Sequence, residues 1–236
     1  MRFIIPVFIT SFLVVACAGE ENHSSDVESN EVDTTGQIMD TVAVDTVVEV
    51  EETPFSTFEH YMAIARRSEL DSLFPGQITH EIVWYNEGTE ERKISKLTNN
   101  ETGHSVKYVW SMDDPNQVGD IEVNYHQYNE DFESIGEQDL ASSTGVYLGM
   151  SFKDFREWNG TPFDFSGFGW DFGGGILTAQ GKLKDCDFSI YMMQDPEADQ
   201  EAFGQFVGDQ IFSSDDEGLE NPPFYISSFR YTAGEY

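Results

Sequence analysis

Two cysteines, five histidines and 44 acidic side chains are the groups in this 236-residue chain whose types could carry chemistry. Their spacing decides which chemistry is available. The histidines, at positions 23, 60, 80, 104 and 126, never pair at the short intervals of zinc motifs, and His80 beside Glu81 reads as a surface pair rather than a ligand. Asp114, Asn116 and Gly119 occupy three positions of a calcium loop, but Val118 and Tyr125 stand where that loop needs oxygen ligands. Asp171-Phe172-Gly173 matches a kinase triplet without the His-Arg-Asp loop, or the Gly-rich loop and strand Lys, that give it meaning. Gly167-x-Gly169 lacks the strand-to-helix setting of a phosphate cradle, and no Gly-x-Ser-x-Gly elbow occurs. Cys186 alternates with Phe188, Ile190 and Met192 and is flanked by Asp185 and Asp187, which would raise a thiol pKa; it reads as an inert, packed thiol. Paired carboxylates remain, but with 33 acids from Pro54 onward a pair about 5 to 9 Å apart arises by chance. No cofactor or metal motif is read.

The N-terminus carries a more specific signal. Arg2 precedes the apolar run Phe3 to Ala16, too short to span a hydrocarbon core that needs about 20 residues, and the pair reads as the n- and h-regions of a secretory signal. The run ends in Val14-Val15-Ala16-Cys17, which resembles the bacterial lipobox. That resemblance implies cleavage after residue 16, a diacylglyceryl thioether on Cys17 and acylation, as by palmitate, of the new amine. Several chains are needed for firm anchoring, because one alone binds membranes marginally. Cys186 is then the only thiol left, so no intramolecular disulfide is available and stability must come from packing.

Residues 17–53 form the lipidated Cys and an acidic tether. From Ala18 to Thr53 there are 11 acids, no Lys or Arg and no aromatic residue, a composition that cannot bury a core and should stay extended and disordered. Asp40-Thr41-Val42 and Asp45-Thr46-Val47, with a looser Asp33-Thr34-Thr35, resemble the O-glycosylation acceptor of exported Bacteroidota proteins, making Thr34, Thr41 and Thr46 candidate acceptors. Ala18-Gly19-Glu20-Glu21 resembles the acidic signal that sends lipoproteins of that group to the cell surface.

Residues 54–236 read as a single α+β domain, a mainly antiparallel sheet with two or three short helices. Period-two apolar patterns recur at Ile82 and Trp84; Val106, Tyr108 and Trp110; Ile121, Val123 and Tyr125; Phe188, Ile190 and Met192; and Tyr225, Ser227, Phe229 and Tyr231. Ser151 is a good N-cap for a helix carrying Phe152, Phe155 and Trp158 on one face, stopped by Asn159-Gly160. A second helix is expected from Asp195-Pro196-Glu197, burying Ala202, Phe203, Phe206 and Val207, and a shorter one from Ser68 to Phe74, halted by Pro75-Gly76. The helices near Ser68 and Ser151 each precede a strand-rich stretch ending in a Trp, a spacing compatible with a tandem helix-strand repeat. In Gly160–Gly175, Phe163 and Phe165 alternate with Asp164, and Phe168, Trp170 and Phe172 continue that spacing. The expectation is a strand whose aromatic face is core, so that Trp170→Ala costs about 3 to 5 kcal/mol, while Trp170 and Asp171 are the alternative ligand contacts.

Glu87-Gly88-Thr89-Glu90, Tyr108-Val109-Trp110, Gly149-Met150-Ser151, Asn159-Gly160-Thr161-Pro162-Phe163, the run from Gly167 to Gly174, Gly181-Lys182-Leu183, and Gly208-Asp209 with Ser213-Ser214-Asp215-Asp216 together resemble a family of uncharacterised bacterial lipoproteins. NGTPFDFSGFGWDFGG is the most specific piece. The family has no assigned activity, so the resemblance implies location and domain limits but no mechanism. More distantly, Gly-Met-Ser, a short helix and Gly-x-Pro resemble the helix-strand modules of outer-membrane assembly lipoproteins and β-lactamase-inhibitor proteins, which act by binding other proteins. A formal charge of −32 excludes nucleic acid as a partner, since phosphate binding needs clustered cations. The preferred function is an outer-membrane, lipid-anchored interaction module, facing the periplasm or the exterior, whose partner is another envelope protein or a carbohydrate. The alternatives are a carboxylate-based hydrolase acting on surface polymers and an acidic spacer or coat protein.

Overall fold

A computed structural model of the protein describes residues 54–129, 131, 133–170, 172–196, 198 and 204–234, all within the unit Val50–Tyr236. The alternating segments build a six-stranded antiparallel sheet. Its strands are β1 Ile78–Tyr85, β2 Glu90–Thr98, β3 Ser105–Trp110, β4 Val118–Asn124, β8 Ser189–Gln194 and β10 Phe224–Thr232, in the order β1-β2-β3-β4-β10-β8. The first four form a meander, and β10 inserts between β4 and β8. Val106, Tyr108, Trp110, Ile121, Val123, Ile190, Met192 and Phe229 are buried on the inner face, as their period of two requires.

Three short helices cover that face. α1, Phe58–Met62, packs Phe58 against Phe188 and Phe229 with ring centroids 5.2 and 5.6 Å apart, and the Tyr61 carbonyl accepts a hydrogen bond from the Tyr108 hydroxyl at 3.1 Å. α2, Arg67–Leu73, is the helix expected near Ser68; the chain leaves it through Pro75 and a left-handed Gly76. α3, Phe152–Asn159, starts where its sequence says: Ser151 Oγ accepts from the Asp154 amide at 3.1 Å, and Gly160 ends it at φ 73°. Such a cap contributes about 1 kcal/mol. Phe152 and Phe155 are fully buried in a phenylalanine cluster with Phe163, Phe165 and Phe224, while Trp158 is half-buried and stacks on Phe155.

Two smaller ladders complete the fold, β5 His126–Tyr128 with β6 Ser134–Glu137, and β7 Asp164–Ser166 with β9 Ile211–Ser213. Residues 174–176 join the second ladder to the main sheet. The Ser166 amide donates to the Gly175 carbonyl and the Met192 amide to the Gly174 carbonyl, each at 2.9 Å, so this segment runs between β7 and β8. The edge of β8 is thereby paired, whereas β1 pairs on its β2 side.

Several sequence expectations change. Tyr225 and Ser227 do not share a face with Phe229: a bulge between Ile226 and Ser228 shifts the phase, burying Phe224, Ile226 and Phe229 and turning Tyr225 outward. Ile82 and Trp84 lie on the inner side of β1 by register, yet are exposed because the β1–β2 hairpin runs past the helices. His80 and Glu81 are not a pair. As strand neighbours they face opposite sides, His80 meeting Asp71 at 3.2 Å and Glu81 meeting Lys96 at 2.9 Å. Of the segment expected as a helix after Asp195, residues 197 and 199–203 lie outside the described residues. Gly204–Phe206 is a 3-10 turn, with Phe206 buried but Val207 half-exposed rather than core. The stretches after α2 and α3 differ in construction, one a four-strand meander and the other strands split between two ladders.

Candidate binding face of the sheet

The outer face of the sheet divides into an ionic half and an aromatic half. Register places Lys107 of β3 opposite Glu122 of β4, and Glu122 opposite Arg230 of β10, in one row across three strands. Lys107 pairs with Glu122, Arg230 with Asp120 at 3.1 Å, Arg92 with Glu90 at 2.5 Å and Lys96 with Glu81 at 2.9 Å. Thr232 also donates to Asp120 at 2.8 Å. Four of the 11 cations after residue 53 thus stand on this face, each matched by a carboxylate. Their stems shield Ile94 and Val109, cross-strand partners that are buried although they point outward. Partial burial works against the Arg230 cation, but Asp120 and Glu122 outweigh it and hold its pKa above the ordinary value. A groove of about 260 Å³ runs over this half from Tyr85 to Arg230.

Toward β8 the face becomes aromatic. Tyr191 and Met193 of β8 point outward beside Ser228 and Tyr225 of β10, and a second hollow lined by Phe172, Tyr191, Ser228, Glu122 and Arg230 adjoins the groove. Beyond it, His126 Nε2 lies 3.0 Å from the Tyr225 hydroxyl and His126 Nδ1 lies 3.5 Å from Glu137, which also accepts from Tyr125 at 2.7 Å. Burial, helped by the neighbouring Tyr128, Asp195, Tyr125 and Glu137, raises the Tyr225 pKa to about 12. A tyrosine so shifted is a hydrogen-bonding group, not a nucleophile at neutral pH. Because the raised folded pKa favours the protonated form, its contribution to stability is full below pH 10 and is lost as pH rises toward about 12. The expected result is an unfolding midpoint that falls over that window, with a shallower fall in Tyr225→Phe. Identical slopes in both proteins would remove Tyr225 as the cause.

The loop 167–173 supplies the most exposed rings. Phe163, Phe165 and Phe168 are core as expected, but Trp170 and Phe172 are 65% and 66% exposed, which corrects the reading of one continuous aromatic face. The alternation ends at Gly167, where a Cβ would fall on the Gly208 carbonyl oxygen, and Gly169 at φ 90° turns the chain outward. Gly174 closes the loop at φ 75°, pressed against the Met192 carbonyl, and the Ser166 hydroxyl donates to the Phe172 carbonyl. The glycines serve close backbone approach, as their type suggests, but the result is a braced loop that presents two rings to solvent rather than a buried strand.

Cys17, Thr34, Thr41, Thr46 and Asp171 lie outside the described residues. Cys186 is half-buried, its Sγ 3.6 Å from Thr144 Oγ1; burial first, then Glu59, Asp185 and Asp187, push its pKa up. Asp114 and Asn116 shape a turn whose Asn116 carbonyl and side chain accept the first amides of α2. His60 binds the Thr57 cap, and His104, its pKa lowered by burial, joins Tyr61, Asn99 and Thr102 below the core. Sequence reasoning missed the ionic row and the Tyr225–His126–Glu137 chain. The signal for the first was present in the polar positions Lys107, Glu122 and Arg230 between apolar ones. Compared with known proteins, the chain matches no family model, no curated protein and no solved structure.

Proposed function

We propose that the protein is an envelope lipoprotein, anchored in the outer membrane by acyl chains on Cys17, whose folded domain is an interaction module engaging its partner across the aromatic half of the outer face. The observation that carries this reading is the exposure of Trp170 and Phe172 on a loop held by backbone contacts beside an open groove. Water-exposed aromatics in one patch mark binding surfaces, and a braced loop limits the ordering cost of binding. The groove carboxylates Glu90, Asp120 and Glu122 each engage a cation, which suits polar recognition better than the acid and base division of a hydrolase. Residues 18–53 would serve as the tether, O-glycosylated at Thr41 and Thr46 and at Thr34.

Cys17→Ser is expected to move the protein from membranes to the soluble exported fraction, and wild type to incorporate labelled palmitate. Persistence of the variant in membranes with no label in wild type would sink the anchor. The soluble Cys17→Ser chain should co-sediment saturably with envelope fragments of its native host. Added Trp170→Ala and Phe172→Ala changes should each weaken that association by about tenfold or more, as hot-spot aromatics do. Undiminished association in both would place the contact elsewhere.

A further inference from the structure

We infer that the ligand of the aromatic half is an uncharged, hydroxyl-rich chain, an oligosaccharide, a conclusion that rests on reading this face as the binding surface. Three observations point to it. The first is ring presentation: Phe172 is exposed and lines one hollow with Tyr191, whose ring lies against Gly175, and Trp170 is exposed two residues earlier on the same loop. Flat, rigid rings offer apolar area at low conformational cost, and the C–H faces of a sugar ring match such area.

The second is polarity. At the hollow between these rings and the ionic row, Ser228 and the Glu122 and Arg230 side chains place donors and acceptors side by side. Glu122 is held by Lys107 and Arg230 by Asp120, so a charged partner would have to displace an ion already in place. A hydroxyl, which donates and accepts at one atom, bonds to the remaining lone pairs and N–H groups without separating those charges. The third is the wider field. Residues from Pro54 onward carry 33 acids against 11 cations, which repels a polyanion, while in the row itself the described carboxylates Glu90, Asp120 and Glu122 each stand beside a cation. The platform continues along the sheet through Met193 and Tyr225, longer than one sugar ring, so a chain rather than a monosaccharide fits it.

The test uses the full chain carrying Cys17→Ser. It is run through native gels containing laminarin, mannan or xylan, and sedimented with host envelope fragments left untreated, oxidised with periodate to cleave vicinal diols, or digested with protease. Expected are retardation by at least one polysaccharide, binding to untreated and protease-digested fragments, loss of binding after periodate, and little effect of added salt. Trp170→Phe should keep the affinity that Trp170→Ala loses by about tenfold or more. Binding that survives periodate but not protease, or that falls steeply with salt, overturns the oligosaccharide while leaving the binding face in place. Binding to untreated fragments that is unchanged in Trp170→Ala and Phe172→Ala overturns the binding face itself. No binding to untreated fragments overturns both.

Discussion

Trp110→Ala is expected to lower the unfolding free energy by about 3 to 5 kcal/mol, whereas Trp170→Ala should change it by no more than about 0.5 kcal/mol. Both are tryptophans in aromatic-rich segments. Trp110 is 1% exposed, stacks on Tyr108 at 5.7 Å and donates its indole N–H to Ser95 Oγ at 2.8 Å. Its truncation empties a cavity and leaves a fully buried hydroxyl short of a donor. Trp170 is 65% exposed, so little packing is lost with it. Urea unfolding of the full chain carrying Cys17→Ser measures the difference. Equal shifts in the two variants would mean that Trp170 is packed and that the loop is part of the core.

The second large effect concerns a residue with no side chain. Gly174→Ala should cost about 3 kcal/mol, made of about 1 to 2 for a left-handed residue carrying a Cβ and about 1 for each backbone hydrogen bond that must yield. The Cβ would overlap the Met192 carbonyl oxygen and approach Phe168 at 2.8 Å, and the bonds at risk are Met192 to Gly174 and Gly174 to Ser166, at 2.9 and 3.0 Å. Gly160→Ala is the control: its φ of 73° is similar, but nothing lies within 4 Å of the new Cβ, so only the conformational cost of about 1 to 2 kcal/mol remains. Hydrogen exchange at the Met192 amide should quicken in Gly174→Ala and not in Gly160→Ala. If both substitutions cost the same, the close approach to β8 is not what demands glycine.

Legibility followed the range of the interactions. α3 could be read because its cap, its apolar face and its left-handed stop all lie within ten residues. The inner positions of β3 and β4 could be read because burial on one side of a strand leaves a period of two. Trp170 and Phe172 were misplaced because the event that ends their alternation, the approach of Gly167 to Gly208, joins residues about 40 apart and leaves no mark in local pattern. The phase of β10 was lost at a bulge for a similar reason, since the extra residue is defined by its partner β8. The ionic row needs register across β3, β4 and β10, and Arg230 meets Asp120 from 110 positions away. His126 and Tyr225 are 99 apart. Residue types made these groups candidates; topology alone made them neighbours.

The insertion of β10 between β4 and β8 also governs when the domain can exist. Residues 78–124 can zip into a four-strand ribbon as they emerge, but β4 and β8 have no common neighbour until residues 224–232 arrive. Closing the sheet therefore waits on contacts spanning about a hundred residues, a topology that folds slowly because loop closure precedes any reward. Until residues 224–232 are delivered, β8 has no strand through which to join β4, so the six-stranded sheet cannot close on a partial chain. Loss of residues 224–232 would accordingly act as the removal of an interior strand, parting β8 from the β1–β4 ribbon rather than fraying an end.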